Sequence, residues 1–506
     1  MAISRRQFLK RGAAAAATTA LSPYLRVLPG TNVSYAAGPS DAIVVLVQLN
    51  GGNDGINTVY PLFGPQRTLY QGFRPTLMLP DTVGGLGSWS AEGFDTSSGI
   101  LDLGVNDDGT TYALHPVMGA MHALYQQGKL AIVNGVHYPF ANHSHFRSED
   151  IWYSLDPTGA GSGGWFGRYL DYAGFGATAL PSVHMGSSIN PMFVPAATSV
   201  FAFRKLSELA FPADGESTFK KAVVEGLYSE SALRDSGLYP ELVSMGGTGA
   251  ATISSMEDYY LPGNGLTKAG KVEALLLDAN GKYRRNNPLV YSSPLNPEDN
   301  PEIAFGGGLA RDLRHVAAAI RADVGARFFH VQTGGFDTHS GQEQGFFHSY
   351  LLKKVSESVA AFYNDMAQTA GLPPGYSGYR TQSLVDNVVV ITFSEFGRTI
   401  RQNALDVSSA GTDHGTSAPQ FVLGGNTLGG QFGVYPQLDN PGVRNEDDLR
   451  MTYDFRDFYG TILSRWLSVP EVDLGPGAGK LLPATSGADA DGESYTAFNP
   501  IGFLAP

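Results

Sequence analysis

The chain has 506 residues, a 42% apolar share and a formal net charge of -13, which marks a large globular protein and, with no basic run, sets nucleic acid aside as a partner. It contains no cysteine, so disulfides, thiolate zinc sites, iron–sulfur clusters and cysteine nucleophiles are all excluded. Its 63 glycines and 30 prolines point to long loops over a core large enough to stand without covalent staples.

At the N-terminus Ser4-Arg5-Arg6-Gln7-Phe8-Leu9-Lys10 precedes a short, Ala-rich, weakly apolar segment over 13–21. This fits a twin-arginine export signal over residues 1–37, with Ser34-Tyr35-Ala36 as the cleavage tripeptide. A disordered basic tail is the plain alternative. The segment is too short for a membrane span, and no other stretch of about 20 residues qualifies. The expected mature chain is periplasmic or secreted, folded before export, with the twin-arginine translocase as its partner in transit and no transmembrane span.

Residues 42–49 form a near-continuous Val/Leu/Ile run, the pattern of a strand buried on both faces. It ends in Asn50-Gly51-Gly52-Asn53-Asp54-Gly55. Glycines there permit a tight turn and close approach to a ligand. Asp54 then falls just past a strand's carboxyl end, where open α/β sheets place their ligands; an Asx turn is the bland alternative. Residues 63–110 read as a surface excursion. His115-Pro116 opens an expected helix, and residues 130–133 a second short strand.

That strand runs into His137 and then Asn142-His143-Ser144-His145-Phe146-Arg147-Ser148, with a helix expected to follow. A serine at a helix N-terminus is well placed as a nucleophile, because orphan N–H groups and the positive dipole end favour developing negative charge. An ordinary N-cap is the competing reading for Ser144 and for Ser148; the three histidines close by favour a polar site. A helix is expected over 165–172, and residues 200–300 read as a helical insertion or cap. Helices are expected over 308–324, with His315 at the rim, and over 347–367. A third strand over 327–332 ends in Gly334-Gly335-Phe336-Asp337-Thr338-His339, whose Asp337 and His339 can both reach one cation. A fourth, over 388–393, ends in Ser394-Glu395-Phe396-Gly397-Arg398 and is followed by Gly411-Thr412-Asp413-His414-Gly415. A fifth short strand is expected over 420–423 and a helix over 449–467.

The expected fold is therefore α/β, with a mostly parallel central sheet flanked by helices, a core over 38–200 and 300–506, and the helical insertion between. In a parallel sheet the strand ends share one edge, so Asp54, the His143/Ser144/His145 group, Asp337/His339 and Glu395 with Asp413/His414 become neighbours. Asp, Glu and His suit zinc, calcium or magnesium. Cations beside a serine oxygen equip a site for phosphoryl or sulfuryl transfer.

The five motifs at 51–55, 143–148, 334–339, 394–398 and 411–415 resemble, in order, those of the bacterial domain-of-unknown-function 1501 family, whose members are typically exported by the twin-arginine route. That family is in turn distantly similar to the alkaline phosphatase/sulfatase superfamily. The resemblance implies an alkaline phosphatase-like fold, Ser144 as nucleophile aided by His143 and His145, and Asp54, Asp337, His339, Glu395, Asp413 and His414 as the metal-binding set. Two features depart from the superfamily pattern. Glu395-Phe396 stands where an Asp-His pair is usual, and Asp337 and His339 are closer than the usual gap. The second metal position is thus expected to be altered, filled by His143 or His145, or empty. Two functions follow: an exported metal-dependent hydrolase of phosphate or sulfate esters, including polysaccharide esters, or a non-catalytic binding or assembly protein on the same fold. A serine esterase or amidase is a weaker third, as no Gly-x-Ser-x-Gly elbow is present.

Overall fold

The computed structural model describes residues 42–158, 163–174, 182–186, 190–194, 200–203, 308–367, 380, 382–442, 445–475, 480–483 and 497–505. The expected export signal and nearly all of the expected helical insertion lie outside the described residues. In chain order the strands are β1 (Ile43–Leu49), β2 (Val59–Phe63), β3 (Leu101–Val105), β4 (Thr111–Leu114), β5 (Leu130–His137), β6 (Ser182–Met185), β7 (Val200–Phe203), β8 (Phe328–Thr333), β9 (Val388–Phe393), β10 (Ala418–Gly424), β11 (Gly430–Phe432) and β12 (Tyr453–Asp454).

β1 is the axis of the main sheet, whose order is β11-β5-β10-β9-β1-β8-β6-β7, with β12 alongside β5. It pairs in parallel with β8 on one side and β9 on the other. All seven of its residues are buried, and they alternate between two cores. Ile43, Val45, Val47 and Leu49 face a layer that includes the helices Gly308–Arg321 and Phe347–Ala367. Val44 and Leu46 face the layer of His145–Ser154, Trp165–Tyr172 and Phe455–Thr461. The near-continuous apolar run is thus the signature of a strand covered on both sides. Each such side chain contributes about 1.5–3 kcal/mol on burial, against about 0–1 kcal/mol for an exposed ion pair, so these two cores dominate the stability.

The registers bring the strand ends level. Leu49 lies opposite Thr333, and Gln48 opposite Phe393, so the segments that follow β1, β8 and β9 emerge at one edge. β10 runs antiparallel to both β9 and β5, which makes the sheet mixed though mostly parallel. That reversal is useful: the chain leaves β9, forms the loop over 394–417, and re-enters the sheet at the same edge. Asp413 and His414 are therefore delivered by a strand's start, not its end.

Four stretches differ from expectation. Residues 63–110 carry the helix Pro65–Phe73 and β3, and β2, β4 and β3 form a separate antiparallel sheet with its own small core around Tyr60, Tyr70, Ile400 and Leu438. Glycine-rich texture concealed strands too short for a clear period. His115 follows directly on β4, and the helix begins only at Gly119. β6 extends the sheet beyond β8, where no strand was expected, and β7 adds a further strand at the head of the stretch expected to be a helical insertion. The segment over 449–467 is extended at β12, turns helical at Phe455 under an Asp454 cap, and closes in a π-helical segment, Ile462–Trp466. No helix among the described residues is long and apolar enough to cross a membrane.

Candidate metal centre

Three imidazoles and one carboxylate converge at this edge. His145 opens the helix after β5, Asp337 and His339 follow β8, and His414 precedes β10. His414 Nε2 lies 3.0 Å from Asp337 Oδ1, His339 Nε2 lies 3.1 Å from the same oxygen, and the two Nε2 atoms are 2.8 Å apart. His145 Nε2 lies 3.5 Å from Asp337 Oδ2.

Each ring is held from behind. His145 Nδ1 donates to Glu395 Oε1 at 2.8 Å, His339 Nδ1 to Asp413 Oδ1 at 2.9 Å, and His414 Nδ1 to the His143 carbonyl at 2.6 Å. With Nδ1 protonated, every neutral ring turns an Nε2 lone pair inward. Acceptors then crowd together, and only a proton or a cation between them relieves the repulsion. An acceptor that holds the far nitrogen of a metal-binding imidazole is the usual support of such a site. His145, Asp337 and His414 offer one donor atom each within 4.8 Å of one another, and the buried His145 Nε2 has no hydrogen-bond partner. The donor set fits a divalent cation, with zinc the best match to several imidazoles and one carboxylate.

Arg398, fully buried, is the keystone that the motif reading left without a role. Its guanidinium donates to the Gly52 carbonyl at 2.8 Å, the Thr412 and Phe336 carbonyls at 2.9 Å, the Gly51 carbonyl, and Asp337 Oδ1 at 2.7 Å. It thereby ties three of the loops together. Burial opposes the Asp337 charge, but the hydrogen bond from Arg398, with the His414 ring beside it, outweighs burial and holds the carboxyl at about 2. The Glu395 hydrogen bond raises the His145 pKa against burial, whereas burial lowers that of His414.

Phe396 does not leave a hole where an imidazole is usual. It is buried, with its ring centroid 4.8 Å from that of His145 and 4.6 Å from that of His414, and it fixes the tilt of both. Gly52, at φ +84, packs so closely that a Cβ there would stand 2.4 Å from the Phe396 ring. Gly51, at φ +118, leaves 2.5 Å between such an atom and the Asp337 nitrogen. The turn needs glycine for both reasons.

The other expected site residues take different places. Asp54 belongs to neither of the two candidate ligand groups among the described residues. It is fully buried, its two oxygens 2.8 and 2.6 Å from Arg74 Nη1, with Gln342 also donating to it. Such a pair is structural: Arg74 neutralises the buried charge that a metal would otherwise meet. Glu395 and Asp413 hold imidazoles in place, as described above. The His143 ring turns to Asp448, with Nε2 at 3.2 Å from Oδ2, and only its carbonyl serves the centre. His137 is buried without a hydrogen bond, and burial followed by the His143 charge pulls its pKa down to about 3. Ser148 is buried and bonded to Tyr138 Oη at 2.7 Å and the Asn142 carbonyl at 2.6 Å, so it braces the loop. Ser144 is exposed at the head of its helix, with extended backbone and no side-chain cap bond. Of the two serines it is the one free to react. His315 is buried within its own helix, its Nδ1 on the Arg311 carbonyl at 2.8 Å.

Residues 307–489 match a family model described as "Protein of unknown function (DUF1501)". The matched segment carries Asp337, His339, Glu395, Phe396, Arg398, Asp413 and His414, and supports the family resemblance of the motifs there; Asp54 and the 143–148 motif lie outside it. No curated protein and no solved structure matches the chain.

Proposed function

We propose that the protein is an exported, metal-dependent hydrolase of phosphate or sulfate esters on an alkaline phosphatase-like core, with Ser144 as nucleophile. The observation that carries this reading is the inward convergence of the His145, His339 and His414 Nε2 atoms on Asp337, each ring braced at Nδ1. A divalent cation there supplies Lewis-acid stabilisation of ester oxygens and eases ionisation of a nearby hydroxyl.

The chain's own residues supply the rest. Ser144 sits between His143, whose carbonyl holds His414, and His145, whose ring faces Asp337. The leading amides of the helix His145–Ser154 favour the non-bridging oxygens of an anionic ester. Glu395 and Asp413 keep their histidines in the ligand tautomer, and Arg398 keeps Asp337 ionised. The reading is of a single cation, because Asp54 is committed to Arg74. Zinc suits the donors better than calcium or magnesium, which favour all-oxygen sites. Export by the twin-arginine route to the periplasm or beyond, with an ester-bearing small molecule or polysaccharide as substrate, completes the proposal.

The test is turnover of aryl phosphate, phosphodiester and aryl sulfate probes by protein loaded with zinc. Ser144→Ala is expected to lose at least 100-fold in kcat, a typical cost for a removed catalytic group, with metal content unchanged. Ser148→Ala keeps the activity. The competing reading, a non-catalytic binding protein, draws on the Asp54–Arg74 pair, which leaves no second metal position of the superfamily kind. Absence of turnover on every probe by metal-loaded protein would favour it.

A further inference from the structure

A second group of ligand-type side chains lies where the small sheet meets the long helix Phe347–Ala367. His115 follows directly on β4, and Glu343 and His348 flank the helix start. His115 Nε2 is 3.8 Å from Glu343 Oε1, and His348 Nδ1 is 3.4 Å from the same oxygen. The three donor atoms lie within 4.8 Å of one another. Both histidines are 0% exposed. Neither nitrogen of His348 makes a hydrogen bond, and neither does Glu343 Oε1.

Buried polar atoms of this kind are costly when left unmatched, and native proteins leave few of them. We propose that His115, Glu343 and His348 bind a structural divalent metal of the zinc type. The spacing agrees. Metal–nitrogen bonds of about 2.0–2.1 Å in tetrahedral geometry set ligand atoms about 3.3 Å apart, so the 3.4 and 3.8 Å separations need only a slight contraction. Two imidazoles and a carboxylate select zinc over calcium or magnesium.

The surroundings are built for it. Ser349 Oγ donates to Glu343 Oε2 at 3.0 Å and so leaves Oε1 for the metal, and Trp89 Nε1 donates to that hydroxyl at 3.0 Å. Supports of this sort orient a ligand carboxylate. Trp89 stands edge-on to His115 at 6.4 Å and to Phe346 at 5.5 Å, covering the group. His115 Nε2 is 3.4 Å from Ser349 Oγ and the Val117 amide is 3.4 Å from His115 Nδ1; both contacts are at the long limit of a hydrogen bond, and metal at Nε2 gives them up as the ring proton moves to Nδ1. The bound ion pins the small sheet to the helix.

The site stands independently of the hydrolase reading, and its test keeps the two apart. Full-length protein purified without chelator is loaded with zinc, freed of excess and assayed for metal. Glu343→Gln and His348→Asn are each expected to lose one zinc equivalent, and Asp337→Asn to lose a different one. The chelator-induced drop in thermal midpoint should shrink in Glu343→Gln. Folded variants with the wild-type zinc ratio and an unchanged chelator response would overturn the assignment, leaving a proton-sharing triad. If both variants fail to fold, anomalous diffraction at the zinc edge on wild-type crystals decides: a peak among the three side chains supports the site, and its absence overturns it.

Discussion

His145 donates its Nδ1 proton to Glu395 Oε1 over 2.8 Å, although 250 residues separate them in sequence. The same oxygen accepts the Gly51 amide at 2.7 Å, and the Trp152 indole donates to the Glu395 carbonyl at 2.8 Å. Glu395 is thus immobilised from three sides, and its carboxylate decides which nitrogen of His145 faces Asp337.

Glu395→Gln tests that role. The amide keeps the size but loses the charge that fixes the tautomer. Zinc affinity at the centre is expected to fall about 10–100-fold, the usual cost of losing such a support, with little change in fold. A chelator-competition titration reads it, and an unchanged affinity would remove Glu395 from the centre's design.

Gly52→Ala tests the packing of the turn. A methyl group there meets the Phe396 ring and requires a positive φ. Displacing Phe396 frees the tilt of His145 and His414, so metal affinity and thermal stability should fall together. Phe396→Ala is expected to destabilise the fold by about 3–5 kcal/mol, as for other buried aromatic truncations, measured by urea unfolding.

The Asp54–Arg74 pair predicts an acid-sensitive part of the stability. Burial works to raise the Asp54 carboxyl, but the Arg74 and His348 charges and the hydrogen bonds from Arg74 and Gln342 bring it below its ordinary 3.8. A carboxyl lowered by folding stabilises the native state fully above the unfolded value and loses that contribution as pH falls through the folded one. Asp54→Asn should therefore flatten the unfolding profile below about pH 4. Arg74→Met leaves an unpaired buried carboxylate and is expected to cost about 3–5 kcal/mol at neutral pH. Denaturant midpoints across the pH range check both.

Much of this architecture was legible in the chain itself. β1 and β9 are nearly continuous apolar runs, broken only by Gln48 and Thr392, and the polar groups after β1, β5, β8 and β9 do share an edge. Asp337, His339, His145 and His414 were therefore visible as neighbours before their contacts were known. Pairings across long separations were not. Arg74 reaches Asp54 from a stretch that looked like surface loop, and Arg398 spans loops up to 347 residues away in sequence. Local patterns do not encode such partners. The antiparallel course of β10 was also hidden, since a buried run carries no direction. Nor does an Asp announce whether it will meet a cation or a guanidinium.

The most direct measurement is the zinc-to-protein ratio of chelator-free, zinc-loaded protein, compared between wild type and Asp337→Asn, with turnover of an aryl ester followed in the same samples. Asp337 is the one carboxylate on which the three inward imidazoles converge. The expected result is loss of one zinc equivalent in Asp337→Asn together with loss of metal-dependent turnover. An unchanged ratio in a folded variant, or a wild-type protein that takes up no metal, would contradict the account.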